Sequence, residues 1–310
     1  MNTGSSFAFD VVGVGANSVD YVYRLPRFPQ PDGPASKLRI REHLVTCGGQ
    51  TATALCTCAA MGLRTAYVGA IGADPNGERI RAELARRGVD LAHLRVRDAA
   101  SPYAVILLDE QRGERVVLWE RGEDLALRPD EIDAPLIGGA RLLHVDDVDE
   151  EAAIRAAGIA RDAGIPVTSD IERVTPRTEA LVAAVDVPIF AEHVPEALTG
   201  ERDVERALRA LQVRLQPDAM DVGRLIAVTL GARGAMLLAG DRLYHEPGHQ
   251  VTVVDTTGAG DVFRGAFIVA LLGGAGPAET LRFANAAAAL SCTRLGAIAS
   301  VPSEEEGSGL

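Results

Sequence analysis

Lysine is almost absent from this chain. Lys37 is the only one, and every other basic side chain, histidine apart, is arginine. A Walker-type phosphate loop needs a lysine directly after its second glycine. Gly72-Ala-Asp-Pro-Asn-Gly77 has the glycine spacing, but Glu78 follows it, so that way of holding nucleotide phosphates is excluded. Cysteine is scarce as well. Cys47, Cys56, Cys58 and Cys292 contain no Cys-x-x-Cys pair, which argues against a zinc site or a disulfide framework and for small buried thiols. Aromatic residues make up 4% of the chain, leaving little beyond Tyr21, Tyr23 and Trp119 to stack on a nucleobase. No apolar run reaches the roughly 18 residues of a membrane-spanning helix. Met-Asn-Thr-Gly-Ser-Ser at the start lacks the basic-then-apolar layout of a signal peptide. The expectation is a cytoplasmic protein with no membrane partner. The formal charge is −12 and basic residues do not cluster, so nucleic acid is not the expected partner and a small molecule is.

What is present is apolar and rhythmic. Of 310 residues, 47% are hydrophobic, enough for one large core. Ala8 to Val14 reads as a buried strand ending in Gly13-x-Gly15. A dinucleotide fingerprint would need a third glycine at position 18, which is Ser18, and a long helix after it; neither is there. Gly48-Gly49 opens an Ala-rich helix that Gly62 closes, and Asp74-Pro75 caps a second helix in which Ile80 and Leu84 are four apart. Further strands are read at Ala66 to Ile71, Leu142 to Val145, Pro166 to Ser169, Val187 to Phe190 and Leu225 to Leu230. Ala235 to Ala239 pairs with Arg242 to His245 across Gly240-Asp241, and two helices, about 260–272 and 277–294, close the chain. Such alternation predicts an α/β fold with a mostly parallel central sheet covered by helices on both faces. Two stretches break the rhythm. They are Val19 to Arg24 with the prolines 26, 29, 31 and 34 behind it, and a hairpin of Tyr103 to Leu108 and Arg115 to Trp119 around Asp109-Glu-Gln-Arg-Gly113. Together they predict a small β lid, from about 17–47 and 101–122, on a single domain spanning 1–310. Residues 303–310 read as a flexible, solvated tail.

The strongest chemical signal is Val253-Val-Asp-Thr-Thr-Gly-Ala-Gly-Asp-Val-Phe-Arg-Gly265. Gly258, Ala259 and Gly260 let a backbone come close to a ligand. The first turn of the helix that follows offers free N–H groups and a dipole that favours an anion, which suits a transferring phosphoryl group. Asp261 then reads in two ways: as a capping carboxylate, or as the base that takes the proton of an attacking hydroxyl.

This run resembles the second signature of the ribokinase family, the PfkB carbohydrate kinases, in which the Gly-Ala-Gly-Asp stretch forms an anion hole and its Asp is the base. Gly48-Gly-Gln-Thr-Ala-Thr53 with Leu63 to Gly77 looks like the first signature. The resemblance extends from about residue 9 to 302. It implies a ribokinase-like fold, ATP with Mg²⁺, a lid closing over a sugar, and a homodimer formed through that lid. It places Asp20, Gly48, Gly49, Gln50 and Thr53 at the sugar, with the acidic run His144-Val-Asp146-Asp147 facing it. It places Thr229, Gly231, Gly234, Thr256 and Asn285 at the nucleotide. As in many relatives, a monovalent cation such as K⁺ is implied near Asp255, Thr257, Gly296 and Ser300. Three departures matter. Thr53 stands where the family often has Asn, and Gln50 where ribokinases have Lys, so ribose is disfavoured. The Asn-x-x-Glu motif that organises Mg²⁺ falls on Ala191 and Val194, with His193 and Glu196 two residues out of register, so no Mg²⁺ carboxylate can be assigned. The ketohexokinase and sulfofructose kinase branches look nearest. A sulfonate needs a positive partner that the acidic run does not offer, so a neutral ketose-like sugar or polyol is expected, with a nucleoside as the alternative and a silent sugar-binding protein the weakest reading.

Overall fold

In a computed structural model, residues 7–112, 114–215 and 225–307 are described. The six N-terminal residues, Gly113 of the hairpin turn and the last three residues of the expected tail lie outside that set. In chain order the strands are β1 (Phe9–Val14), β2 (Ser18–Leu25), β3 (Glu42–Gly48), β4 (Thr65–Gly72), β5 (Leu94–Arg97), β6 (Tyr103–Asp109), β7 (Glu114–Glu120), β8 (Ala140–Asp146), β9 (Val167–Ile171), β10 (Val187–Ala191), β11 (Leu225–Thr229), β12 (Ala235–Ala239) and β13 (Arg242–Glu246). The helices are α1 (Gln50–Ala60), α2 (Pro75–Arg86), α3 (Ala134–Gly138), α4 (Glu150–Asp162), α5 (Thr178–Ala184), α6 (Val194–Thr199), α7 (Val204–Leu215), α8 (Ala259–Leu272), α9 (Pro277–Ser291), α10 (Ala297–Ser300) and α11 (Glu304–Gly307).

Nine strands form the central sheet in the order β13-β12-β11-β10-β9-β8-β1-β4-β5. Its pairs are parallel except at the β11-β12-β13 edge. Alternate residues of one strand feed opposite cores, because strand side chains alternate. Val12 and Val14 join α4, Leu181 and Leu208 on one face, while Val11 and Tyr67 join α1, α8 and Leu281 on the other. All eight residues of β4 are buried, as a strand covered on both faces requires. Asp74 caps α2 as expected, accepting a hydrogen bond from Gly77 N at 2.7 Å.

A second sheet, β3-β2-β6-β7, stands apart from the first. Strands β2 and β6 are parallel, with β3 and β7 antiparallel on the outside. Register partners share a face, so Thr46, Asp20, Ala104 and Trp119 form one row across it, and Leu44, Val22, Ile106 and Val117 the next. Leu295 of the body packs on this face against Val22, Ala104, Ile106 and Leu108.

The structure departs from expectation at three places. Strands β3 and β5 were not foreseen, since Glu42, His43, Arg95 and Val96 are exposed and these stretches lack a clean apolar alternation. Helix α9 ends at Ser291, not 294, where the chain turns so that Cys292 O can accept from Val254 N and Asp255 N. The solvated tail begins with a helical turn: Ser303 and Glu306 cap one another, Glu306 Oε2 accepting from Ser303 N at 2.9 Å, and Glu306 also pairs with Arg294.

Candidate active site

The strand ends β1, β8 and β9, the start of α1 and the start of α8 converge beneath the second sheet. In a parallel sheet, ligands bind at the carboxyl ends of the strands. Gly258 enters α8 with φ 76°, a left-handed conformation that glycine adopts without strain. A Cβ there would stand 2.6 Å from Ala297 Cβ. The turn is fastened by Asp255, whose Oδ1 accepts from Thr257 N (2.9 Å) and Thr257 Oγ1 (2.7 Å) and whose Oδ2 accepts from Gly296 N (2.9 Å). Ser300 Oγ donates to Ala297 O at 2.8 Å. The polar groups expected around a monovalent cation are thus paired within the protein. Asp261 sits in the first turn of α8, 9% exposed, where the helix leaves N–H groups without intrahelical acceptors.

Asp261 is not alone. One oxygen each from Asp170, Glu172 and Asp261 lie within 4.8 Å of one another. Arg264, one turn beyond Asp261 and 1% exposed, places Nη2 2.6 Å from Asp170 Oδ1 and 4.0 Å from Glu172 Oε1. Its Nη1 would stand 2.6 Å from a Cβ on Gly260, so the guanidinium rests against the glycine turn itself. Burial drives the Asp261 and Asp170 carboxyls well above the usual range; Glu172 adds to this and Arg264 opposes it. Oxygen donors of this kind suit a hard divalent cation. With Arg264 in place they do not: an ion bound to Asp170 would lie about 4 Å from the guanidinium, and two charges facing one at an effective dielectric near 20 repel by about 8 kcal/mol. In the stretch after β10, Glu196 faces Arg202, 3.6 Å away, and Glu192 pairs with Arg233.

On the lid side, Asp20 is 4% exposed and accepts a hydrogen bond from Ser18 Oγ at 2.7 Å. Burial raises its carboxyl to about 6. A Cβ on Gly48 would press on Asp20 Oδ2, and one on Gly49, whose φ is 99°, would collide with the Asn17 backbone. Asn17 Oδ1, Gln50 Nε2 and Thr53 Oγ1 are buried with no hydrogen-bond partner among the described residues. Asp146 is fully buried and held by Ala16 N (2.6 Å), Thr51 Oγ1 (2.8 Å), Thr51 N (3.3 Å) and Val148 N (3.0 Å). Burial raises it to about 6. Asp147 accepts from Glu172 N (2.8 Å) and Arg173 N (2.6 Å) and pairs with the Arg173 side chain. Neither residue is solvated at a strand end. Both are knots tying β8 to its neighbours.

On the far side, Thr229 ends β11, and a turn through Gly231 and Gly234 (φ 57° and 87°) closes with Leu230 N donating to Gly234 O at 2.7 Å. A Cβ on Gly234 would stand 2.6 Å from Gly248 N. Asn285 Nδ2 donates to Glu246 O at 2.9 Å. The turn, the 246–248 backbone and Asn285 therefore make one wall. Arg115 of β7 reaches down from the second sheet to Thr256 Oγ1.

Asp170, Glu172, Arg264 and Arg115 were missed by the sequence reading. Acid-x-acid at a strand's carboxyl end was the available signal for the first two. A helical arginine looks solvated until the packing around it is known.

Comparison with known proteins bears on the whole chain. Residues 8–304 match the family described as pfkB family carbohydrate kinase. An ATP-dependent ribose-1-phosphate kinase from Halopiger xanaduensis is 33% identical over 290 residues, covering 93% of each chain. Fructokinase-1 of Zea mays is 29% identical, over 96% of this chain and 95% of that one. Among solved structures, a ribokinase from Thermotoga maritima superposes with TM-score 0.81 at 28% identity, over 97% of this chain and 98% of that one. The Arabidopsis thaliana ribokinase solved with ribose and ATP gives 0.80 at 25%, with the same coverage.

Proposed function

We propose that this chain, which belongs to the pfkB family of carbohydrate kinases, passes the terminal phosphoryl group of ATP to a hydroxyl of a neutral sugar, with Asp261 as the base. The family makes it a sugar or nucleoside kinase; the residue roles and the substrate are our reading. One observation carries it: the buried carboxylate of Asp261 stands in the first turn of α8, beside the glycine turn, and feels the charge of Asp20 across the cleft.

The sugar hydroxyl donates to Asp261. As its proton passes to the carboxylate, the hydroxyl oxygen bonds to the γ-phosphorus and the bond to the bridging oxygen of ADP breaks; the proton leaves later to solvent. The N–H groups around Gly258, Ala259 and Gly260 hold the oxygens of the transferring group. Thr229, Gly231, Gly234 and Asn285 border the nucleotide, with Thr256 at its phosphates. Asp20 accepts hydroxyl hydrogen bonds, Gly48 and Gly49 admit the sugar, and the partnerless polar atoms of Gln50, Thr53 and Asn17 answer the rest. Asp146 and Asp147 position this wall without touching the sugar. Mg²⁺ would be held chiefly by the nucleotide phosphates and water, and would supply charge neutralisation there. Asp255, Thr257, Gly296 and Ser300 stand together at this turn, where a monovalent cation would bind. The second sheet covers the sugar and excludes water as a competing acceptor.

Neutrality of the substrate follows from charge: Asp20, Asp261 and Glu172 welcome hydroxyls and repel a second phosphate. A nucleoside is the second reading, favoured by Trp119, which is 67% exposed on the Asp20 face of the lid. A second copy of the chain is proposed to cover the opposite face, where Val116 and Leu118 are exposed. ADP release measured with neutral ketoses, aldoses, ribose 1-phosphate and nucleosides tests the substrate. A neutral ketose should give the highest kcat/KM, with the sugar phosphate at least about tenfold lower, the effect of some 1.4 kcal/mol of repulsion. A preference for the sugar phosphate would overturn this reading.

A further inference from the structure

We infer that Arg264 is the resident cation of the Asp170–Glu172–Asp261 cluster: a positioning residue that holds Asp170 and the base in place, where three carboxylates would otherwise call for a metal ion.

The contact with Asp170 is a close, buried ion pair, with neither atom aligned as a hydrogen bond. The guanidinium is 1% exposed and Asp170 is fully buried, with 2.6 Å between Nη2 and Oδ1. On its other side it lies against Gly260, the one residue of the turn whose missing side chain makes room for it. Arg264 and Asp261 share one face of α8, a turn apart, so the arginine fixes the helix end that carries the base. The groups facing it decide its sign. Strand β9 and the residue after it present Asp170 and Glu172; β8 presents Asp146, Asp147 and His144; β2 presents Asp20. Arg173 is engaged by Asp147, and α1, packed along α8, carries no charged residue. His144 is kept neutral, lowered to about 3 by burial and by Arg264 itself, while its Nδ1 meets Thr168 Oγ1 at 3.0 Å. Arg264 is the cation in direct contact with the cluster. A metal ion seated there would have to displace it.

Two measurements test this on the full-length protein. The first is Mn²⁺ binding without nucleotide, followed by electron spin resonance, and it does not depend on the role given to Asp261. Wild type should bind no Mn²⁺ below about 1 mM, and Arg264→Met should gain about one site, as a carboxylate cluster freed of its cation does. The second rests on Asp261 as base and reads the acid limb of kcat against pH at saturating sugar, where protonation of Asp20, which acts on KM, does not enter. In Arg264→Met the limb should move up by about one pH unit, a tenfold loss at a fixed pH on the limb that is recovered in alkali. Arg264→Lys should restore most of it. Because Arg264→Met leaves a buried carboxylate uncompensated and can fail to fold, Asp170→Asn/Arg264→Met removes both charges; it should fold and show a near wild-type limb. Mn²⁺ binding by wild type that Glu172→Gln abolishes would overturn the inference. So would a limb left in place in Arg264→Met with activity uniformly low, or a shifted limb in the double variant. If wild type shows no acid limb at all, the base assignment fails while the Mn²⁺ result still decides the question of the cation.

Discussion

The proposed phosphoryl end and the proposed sugar end of the cleft are built in opposite ways. At the phosphoryl end, Asp255 to Arg264 are contiguous, and one helix start supplies the turn, the dipole, the proposed base and its counter-charge. At the sugar end, Asp20 comes from β2, Gly48 to Thr53 from the β3–α1 junction, and Asp146 from β8. They meet because β2 pairs with β3, setting Asp20 beside Gly48, and because Asp146 ties the loop after β1 to the start of α1. A contiguous device tolerates little change at any one residue. An assembled one should degrade by increments in affinity.

The largest effect expected from this contrast is at Asp261. Asp261→Asn should lower kcat by about 10² to 10⁴, the worth of a general base, with the sugar KM little changed; steady-state kinetics on the best sugar of the panel would show it, and a loss under tenfold would remove the base assignment. Gly258→Ala comes next. It imposes left-handed strain and a clash with Ala297, and should lower the melting temperature by several degrees, a cost of about 1–3 kcal/mol, together with kcat. Asp20→Asn should act in the other coordinate. KM for sugar should rise about tenfold or more, for roughly 1.5–3 kcal/mol of hydrogen bonding to a charged group, with kcat falling less. If kcat falls as far as in Asp261→Asn, the two ends are not separate devices.

The same residue gives a pH test. Asp20 is raised from 3.8 to about 6 in the fold, so between about pH 4 and 6 the native state holds a proton that the unfolded chain has lost. Its contribution to stability is therefore full below about 4 and disappears as pH rises through 6. Melting temperatures of wild type and Asp20→Asn should diverge over that window, the variant gaining as pH rises. The wild-type sugar KM should worsen below about 6 as Asp20 takes up its proton. Smallest of all, Leu118→Arg on the outer lid face should shift the chain toward monomer in sedimentation while changing kcat by less than about twofold, since surface substitutions rarely matter elsewhere.

The two ends also differed in how readable they were. Gly258 to Asp261 could be read because their function is local: a strand end, small residues and a helix start follow one another in the chain. The parallel sheet was legible for the same reason, through buried runs such as Thr65 to Gly72. Asp146 and Asp147 were legible as acids but not as knots, because what decides between a solvated carboxylate and a buried one is who donates to it, and their donors are Ala16, Thr51 and Arg173. Arg264 was hidden by its helix. Nothing in Val262-Phe-Arg-Gly265 says that the third residue points inward until Asp170 is placed opposite. Strand β3 was hidden by its partner, since Glu42 and His43 become strand residues only beside Arg24 and Tyr23.

Trp119 gives the lid an optical consequence. It is the only tryptophan in the chain, it stands on the face that carries Asp20, and it is four residues from Arg115, which reaches Thr256 at the glycine turn. Light absorbed near 295 nm is thus emitted from one place only, a strand of the lid. Any change in the colour or polarisation of that emission on adding sugar or nucleotide is a report from the second sheet, undiluted by the rest.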